Sequence, residues 1–147
     1  MFNNILIICV GNICRSPMAE VLFKKAFADK HANCAVISAG LHAAVGHKAD
    51  ENACQLMTAR GLDLSTHRAC QLNTQMVRRA DLMLVMELRH KIEIENQTPY
   101  AKGKVFRLGE WGGYDIRDPY LLDLRTFELV LAQIDQGVNQ WVNKLYP

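Results

Sequence analysis

The sequence predicts an α/β fold in which a four-stranded parallel sheet carries helices on both faces. Three observations lead there. Ile5–Cys9 and Leu82–Met86 are short, continuous apolar runs, as expected for strands buried on both sides. Segments with helical spacing separate the strand candidates, in the order β-α-β-α-α-β-α-β-α. The 147 residues, half of them hydrophobic, suffice for one core and show no linker, repeat or low-complexity tract. One domain over residues 1–147 is therefore expected.

Each element has its own signal. After the strand at Ile5–Cys9, Ser16 suits an N-cap and Pro17 the first helical position, predicting a helix from Pro17 to about Lys30 that buries Met18, Val21, Leu22 and Phe27. Ala35–Ser38 reads as the second strand, ended by Gly40. Ala49–Arg60 follows as a helix, with Gly61 as its stop. Asn73 or Thr74 caps a short helix through Arg79. The strand at Leu82–Met86 leads to a helix over Glu87–Asn96, with Pro99 beyond it. Lys104–Leu108 is the fourth strand, and Gly109–Tyr120 a loop rich in glycine, with Trp111 expected to anchor it. The last helix spans Leu124–Leu145, its apolar residues Phe127, Val130, Leu131, Ile134, Val138, Trp141, Val142 and Leu145 at helical spacing.

Composition narrows the function. With 17 basic and 15 acidic residues the net charge is +2, which argues against nucleic acid or a membrane surface as partner. No segment is long enough to cross a bilayer, and no cationic stretch precedes the first apolar run. The five cysteines (9, 14, 34, 54 and 70) do not form a secreted disulfide framework. A reducing, cytoplasmic setting is expected. Nor do they supply four zinc ligands, so neither a metal nor a cofactor is expected.

The chemistry concentrates in Cys9-Val10-Gly11-Asn12-Ile13-Cys14-Arg15-Ser16. A buried strand runs into Cys9. Gly11 is expected to supply left-handed backbone, and the helix after Ser16 turns its amides toward the loop. This describes an anion cradle with a sulfur at its floor. Helix N-termini and nearby cations favour thiolates, and the Arg15 guanidinium matches two phosphate oxygens. Cys54 and Arg60 repeat the same spacing, but inside a helical pattern without a glycine, so that match is read as coincidence. A thiolate attacking an aryl phosphate needs an acid to protonate the leaving oxygen. Asp115, Asp118 and Asp123 lie in or beside the glycine-rich loop. Pro119 restricts Asp118, which ranks first, with Asp115 second.

These residues resemble the low-molecular-weight protein tyrosine phosphatase family, and the likeness covers nearly the whole chain. Beyond the cysteine loop it rests on Ser38-Ala39-Gly40, His67, Asp81 to Glu87 and Asp118-Pro119-Tyr120. Val85-Met86-Glu87 and Arg89-His90 resemble the bacterial branch. The resemblance implies Cys9 as nucleophile, Arg15 as phosphate clamp and Asp118 as acid. It implies that Val10, Gly11, Asn12, Ile13, Cys14 and Ser16 surround the phosphate, with Ser16 donating to the Cys9 sulfur and Asn12, Ser38 and His67 keeping the loop in shape. Ile13, Leu41 and Tyr120 would line the substrate cleft. Leu121 stands where many members carry a second aromatic, and Leu41-His42-Ala43-Ala44 where a pocket aromatic is usual. Cys14, five residues after Cys9, is a candidate to trap an oxidised Cys9 as a disulfide. The implied substrate is a phosphotyrosine protein, in the bacterial branch an autophosphorylated tyrosine kinase of capsule or exopolysaccharide export. Two relatives offer rival activities. A protein-arginine phosphatase would carry a small polar residue at the position of Ile13. A thiol-dependent arsenate reductase would need cysteines after Cys70, and there are none.

Overall fold

The computed structural model describes residues 2–147. Its elements are β1 (Asn4–Cys9), α1 (Arg15–Asp29), β2 (Ala35–Gly40), α2 (Glu51–Ala59), α3 (Thr74–Arg79), β3 (Leu82–Val85), α4 (Leu88–Gln97), β4 (Val105–Arg107) and α5 (Leu124–Leu145). The four strands form one parallel sheet in the order β2-β1-β3-β4. β1 pairs with β2 on one side and β3 on the other, so the chain reverses its direction of winding at β1. In open parallel sheets ligands bind in the crevice beyond the strand C-termini at such a reversal. Cys9, the last residue of β1, lies there, in register with Gly40.

The pleat of β1 divides the core. Ile5, Ile7 and Cys9 face a layer made by α1, α2 and α5, with Met18, Phe23, Phe27, Met57, Phe127 and Ile134. Leu6 and Ile8 face Val77 of α3 and Ile94 of α4. Each such side chain contributes roughly 1.5–3 kcal/mol by leaving water. Strands sandwiched this way are apolar throughout, which is why their runs were readable.

The boundaries differ from expectation where side chains, not periodicity, decide them. Asp50, Asn73 and Asp123 accept from the amides of Asn52, Met76 and Thr126, starting α2, α3 and α5. α1 starts two residues earlier than Pro17; Cys14 is its cap residue, and Ser16 lies inside the first turn without capping it. β2 extends through Gly40, and α4 begins at Leu88, leaving Glu87 as its cap residue. Single helical turns at Pro99–Ala101 and Glu110–Gly112 interrupt segments expected to be loop. Trp111 stacks edge-on against Trp141 at 5.2 Å, fastening its loop to α5. No described helix is long and apolar enough to cross a membrane.

Candidate active site

The segment between β1 and α1 curls around Cys9, and its carbonyls are all turned away from the centre. Cys9 O accepts from Leu41 N (2.9 Å), Val10 O from His42 N (3.0 Å) and Gly11 O from Ala44 N (3.0 Å). His67 Nε2 donates to Asn12 O (2.7 Å), Asp50 N to Ile13 O (2.8 Å) and Met18 N to Cys14 O (3.4 Å). A peptide whose carbonyl is tied outward points its N–H the other way. The amides of Val10–Cys14 bond to no protein group among the described residues. The result is a ring of donors beside the N-terminus of α1, the arrangement that holds an anion. Gly40 permits it: a Cβ there would meet Val10 O at 2.5 Å.

The left-handed residue of this loop is Asn12 (φ 59°), not Gly11 as the sequence suggested. Asparagine tolerates this conformation better than most side chains, and here its side chain is fully engaged. Asn12 Nδ2 donates to Ser16 Oγ (2.7 Å) and Ser38 Oγ (3.0 Å), and its Oδ1 accepts from Cys70 N (2.9 Å). Ser38 passes its own hydrogen to Glu20 Oε1 (2.5 Å). Ser16 Oγ, already accepting from Asn12, shares a hydrogen bond with Cys9 Sγ at 2.9 Å and has a hydrogen to give the sulfur when that is a thiolate. This explains why Ser16 is not an N-cap: its hydroxyl is committed to the floor of the loop. Ser38 and His67, expected only from resemblance, are brought to the loop; Glu20 and the Cys70 amide were not anticipated.

Arg15 is buried, 1% exposed, and its direction is set from outside the loop. Nη1 donates to Glu87 Oε2 (2.7 Å) and to the carbonyl of Ile116 (2.8 Å). Nη2 faces Asp118 Oδ2 at 3.7 Å. Burial alone would raise the Glu87 carboxyl, but the Arg15 hydrogen bond and charge, helped by Arg89, hold it below the usual carboxylate range. Glu87 was read as the first residue of a helix and as part of the family likeness, and nothing local in the sequence marks it as the partner of Arg15.

The three candidate acids separate clearly. Asp123 caps α5. Asp115 accepts from Leu88 N (3.0 Å) and Arg107 Nη1 (3.1 Å). Asp118 lies at the mouth, where its Oδ1 accepts from Tyr120 N (3.0 Å) and Oδ2 turns toward Arg15.

A cleft of about 240 Å³ opens over the loop, lined by Cys9, Val10, Gly11, Ile13, Cys14, Arg15, His42, Ala44, Asp118 and Tyr120. Leu41 is not among them. It shares a face with Ala39 and packs into the core beneath α3, since residues two apart on an extended chain point the same way. His42 and Ala44 take its expected place. Cys14 is buried beneath the loop, and desolvation, with the nearby Asp50, Cys9 and Asp118, pushes its thiol far up. Cys54 is half-buried in α2 and Arg60 pairs with Asp135 at 2.5 Å, so the second cysteine–arginine match forms no loop. Among the described residues no group of three or more His, Cys, Asp or Glu is placed to hold a metal ion.

The comparisons agree along the whole chain. The family model for low molecular weight phosphotyrosine protein phosphatase matches residues 4–146. A Ralstonia nicotianae protein, probable low molecular weight protein-tyrosine-phosphatase EpsP, is 46% identical over 145 residues, which is 99% of this chain and 97% of the relative. The tyrosine phosphatase Wzb from Escherichia coli K30, solved in complex with sulphate, superposes with a TM-score of 0.91 at 38% identity over 99% of both chains. A YwlE mutant from Bacillus subtilis gives a TM-score of 0.92 at 30% identity over 99% of both chains. YwlE is described as an arginine phosphatase.

Proposed function

This chain belongs to the low-molecular-weight protein tyrosine phosphatase family, and we propose that its cleft hydrolyses phosphotyrosine through a phosphocysteine formed on Cys9. The observation that carries the site assignment is the ring of carbonyls tied outward around Cys9. It leaves a set of amides preorganised for the three equatorial oxygens of a phosphoryl group. Arg15 contributes its Nη2 side, because Nη1 is occupied by Glu87 and Ile116.

The reaction follows from the positions. Cys9 Sγ attacks phosphorus; the S–P bond forms as the bond to the tyrosyl oxygen breaks, and Asp118 gives that oxygen its proton. Water then attacks the phosphocysteine, and Asp118 takes a proton from it. The S–P bond breaks, phosphate leaves and the sulfur returns as thiolate, stabilised by the Ser16 hydroxyl 2.9 Å away. Ile13 and Tyr120 flank the aryl ring. An apolar Ile13 suits a phenyl ring better than a guanidino group, which separates this chain from an arginine phosphatase of the same fold. Turnover of phosphotyrosine and phosphoarginine should be compared directly; a preference for phosphoarginine overturns the assignment to tyrosine. Cys9→Ser should abolish turnover while leaving phosphate binding measurable, and Arg15→Ala should lose both. Wild-type turnover by Cys9→Ser would reject the nucleophile.

Two further readings rest on the same site. Cys14 is the resolving thiol after oxidation of Cys9, so peroxide-inactivated protein should contain a Cys9–Cys14 link; mass analysis that finds none rejects it. The physiological substrate is the flexible, tyrosine-rich tail of a cytoplasmic bacterial kinase of polysaccharide export. Resemblance to the bacterial branch and an open mouth with Leu121 in place of a second aromatic support this. An unchanged phosphotyrosine signal on such a kinase, with aryl phosphates still turned over, rejects this substrate alone.

A further inference from the structure

Directly behind Arg15 lies a histidine that the chemistry above does not use. His90 is buried, and neither ring nitrogen has a hydrogen-bond partner among the described residues. Such a group is costly in a core and calls for a reason. Its Nε2 is 3.4 Å from Glu87 Oε2, the same oxygen that accepts from Arg15 Nη1 at 2.7 Å. The other oxygen of Glu87 accepts from Arg89 Nε at 3.1 Å. The imidazole also borders a second cleft of about 250 Å³, shared with Val10, Leu41, His42, Arg89 and Glu93. Val10 and His42 line the catalytic cleft as well. His90 is therefore one carboxylate from the phosphate clamp and beside a second opening.

We propose that His90 is a positioning residue that acts on Arg15 through Glu87, and that it takes up a proton when a dianion fills the cradle. The proposal rests on the anion-cradle reading of residues 9–16. In the empty site the groups facing His90 are Glu87 at the start of α4, Arg89 and Glu93 on α4, Arg15 from α1, and His42 across the second cleft. Burial lowers the His90 imidazole below the usual histidine value; Glu87 raises it, and Arg15 and Arg89 lower it further. Burial without a hydrogen-bond partner disfavours an imidazolium here, which leaves Glu87 to hold Arg15. A bound dianion neutralises the Arg15 charge, weakening the main repulsion on an imidazolium at His90. Glu87 Oε2 can then be shared between the two cations. Both ring nitrogens are closed off from solvent, so taking the proton from the second cleft requires a small outward movement of the ring. Because linkage is reciprocal, a protonated His90 must tighten the hold on the dianion. A histidine that only fills space would not couple to the anion.

Inorganic sulfate tests this, since it stays dianionic throughout the range used. The histidines of the intact wild-type protein are titrated by NMR with and without saturating sulfate. His90 should titrate at higher pH when sulfate is bound. Sulfate affinity should rise on acidification from about pH 7.5 to about pH 5.5, by on the order of three- to tenfold more in the wild type than in His90→Gln. Glu87→Gln should remove the same increment. Coincident His90 titrations, or an unchanged pH dependence in His90→Gln, overturn the proposal. A protein that binds no sulfate at any pH rejects the anion-cradle reading and this inference with it.

Discussion

Asn12 combines a left-handed backbone with a side chain that has no free polar atom. Asn12→Ala keeps the backbone demand and leaves the Cys70 amide and two hydroxyls short of a partner. We expect a loss of about 2–3 kcal/mol, the usual result of stranding buried polar groups, together with a large fall in kcat. Asn12→Gly eases the backbone without restoring the bonds, so it should recover stability but not activity. Urea unfolding and aryl-phosphate kinetics on the two variants separate these; equal kcat in wild type and Asn12→Gly would disprove the network's part in catalysis. Asp118 differs from Asp115 in what it is free to do. Asp118→Asn should slow hydrolysis by about 10²–10⁴-fold, with less effect on esters of acidic phenols. Asp115 is tied to Arg107 and Leu88, so Asp115→Asn should cost far less. The reverse ranking would move the acid to Asp115.

At the level of elements, two glycines make close contacts for different ends. Gly40 ends β2 against the Val10 carbonyl, whereas Gly137 lies within α5, where a Cβ would meet Leu108 O and Cγ at 2.8 Å. Gly40→Ala must push the phosphate loop and should lower kcat more than stability. Gly137→Ala gains about 1 kcal/mol of helix propensity but has to lift α5 off the end of β4, so it should lower Tm with kcat nearly unchanged. Thermal melts and kinetics that show the opposite division would contradict both placements. These elements differ in how far sequence betrays them. The buried strands and α5 were legible because their periodicity is local. The start of α1 was misread because Ser16 before Pro17 looks like a cap, and only the distant Asn12–Ser38 pairing shows otherwise. The contacts of Glu20, Glu87 and the Cys70 amide were illegible for the same reason: each meets its partner from far along the chain, and His90 enters only through Glu87. Gly11 was assigned the special backbone because glycine usually takes it, yet Asn12, which also stabilises that conformation with its side chain, has it.

For the molecule as a whole, the buried Arg15–Glu87–His90 group links folding to pH. The folded His90 value lies below the ordinary 6.5, so its contribution to stability is complete above that pH and is lost as pH falls toward the folded value. The folded Glu87 value lies below the ordinary 4.5, so its contribution is present above 4.5 and disappears as pH falls through the folded value. Stability should therefore decline in two stages on acidification, the first beginning near neutrality. Urea midpoints measured from about pH 7.5 down to about pH 4 check this, and His90→Leu should flatten the first stage. A level midpoint between about pH 7 and pH 5 in the wild type would show that His90 does not titrate with unfolding.

Arg15 also has a consequence for the order in which the protein comes into being. Its two fixed partners, Glu87 and the Ile116 carbonyl, lie 72 and 101 residues further along. A nascent chain leaving the ribosome presents the cysteine loop first and the groups that aim its arginine long afterwards. Asp118 emerges later still. Until those groups emerge, the loop around Cys9 holds an arginine with neither of its fixed partners. A chain interrupted before Glu87 lacks both holds on the Arg15 guanidinium, so the order of synthesis leaves the cysteine loop unfinished until its distant contacts can form.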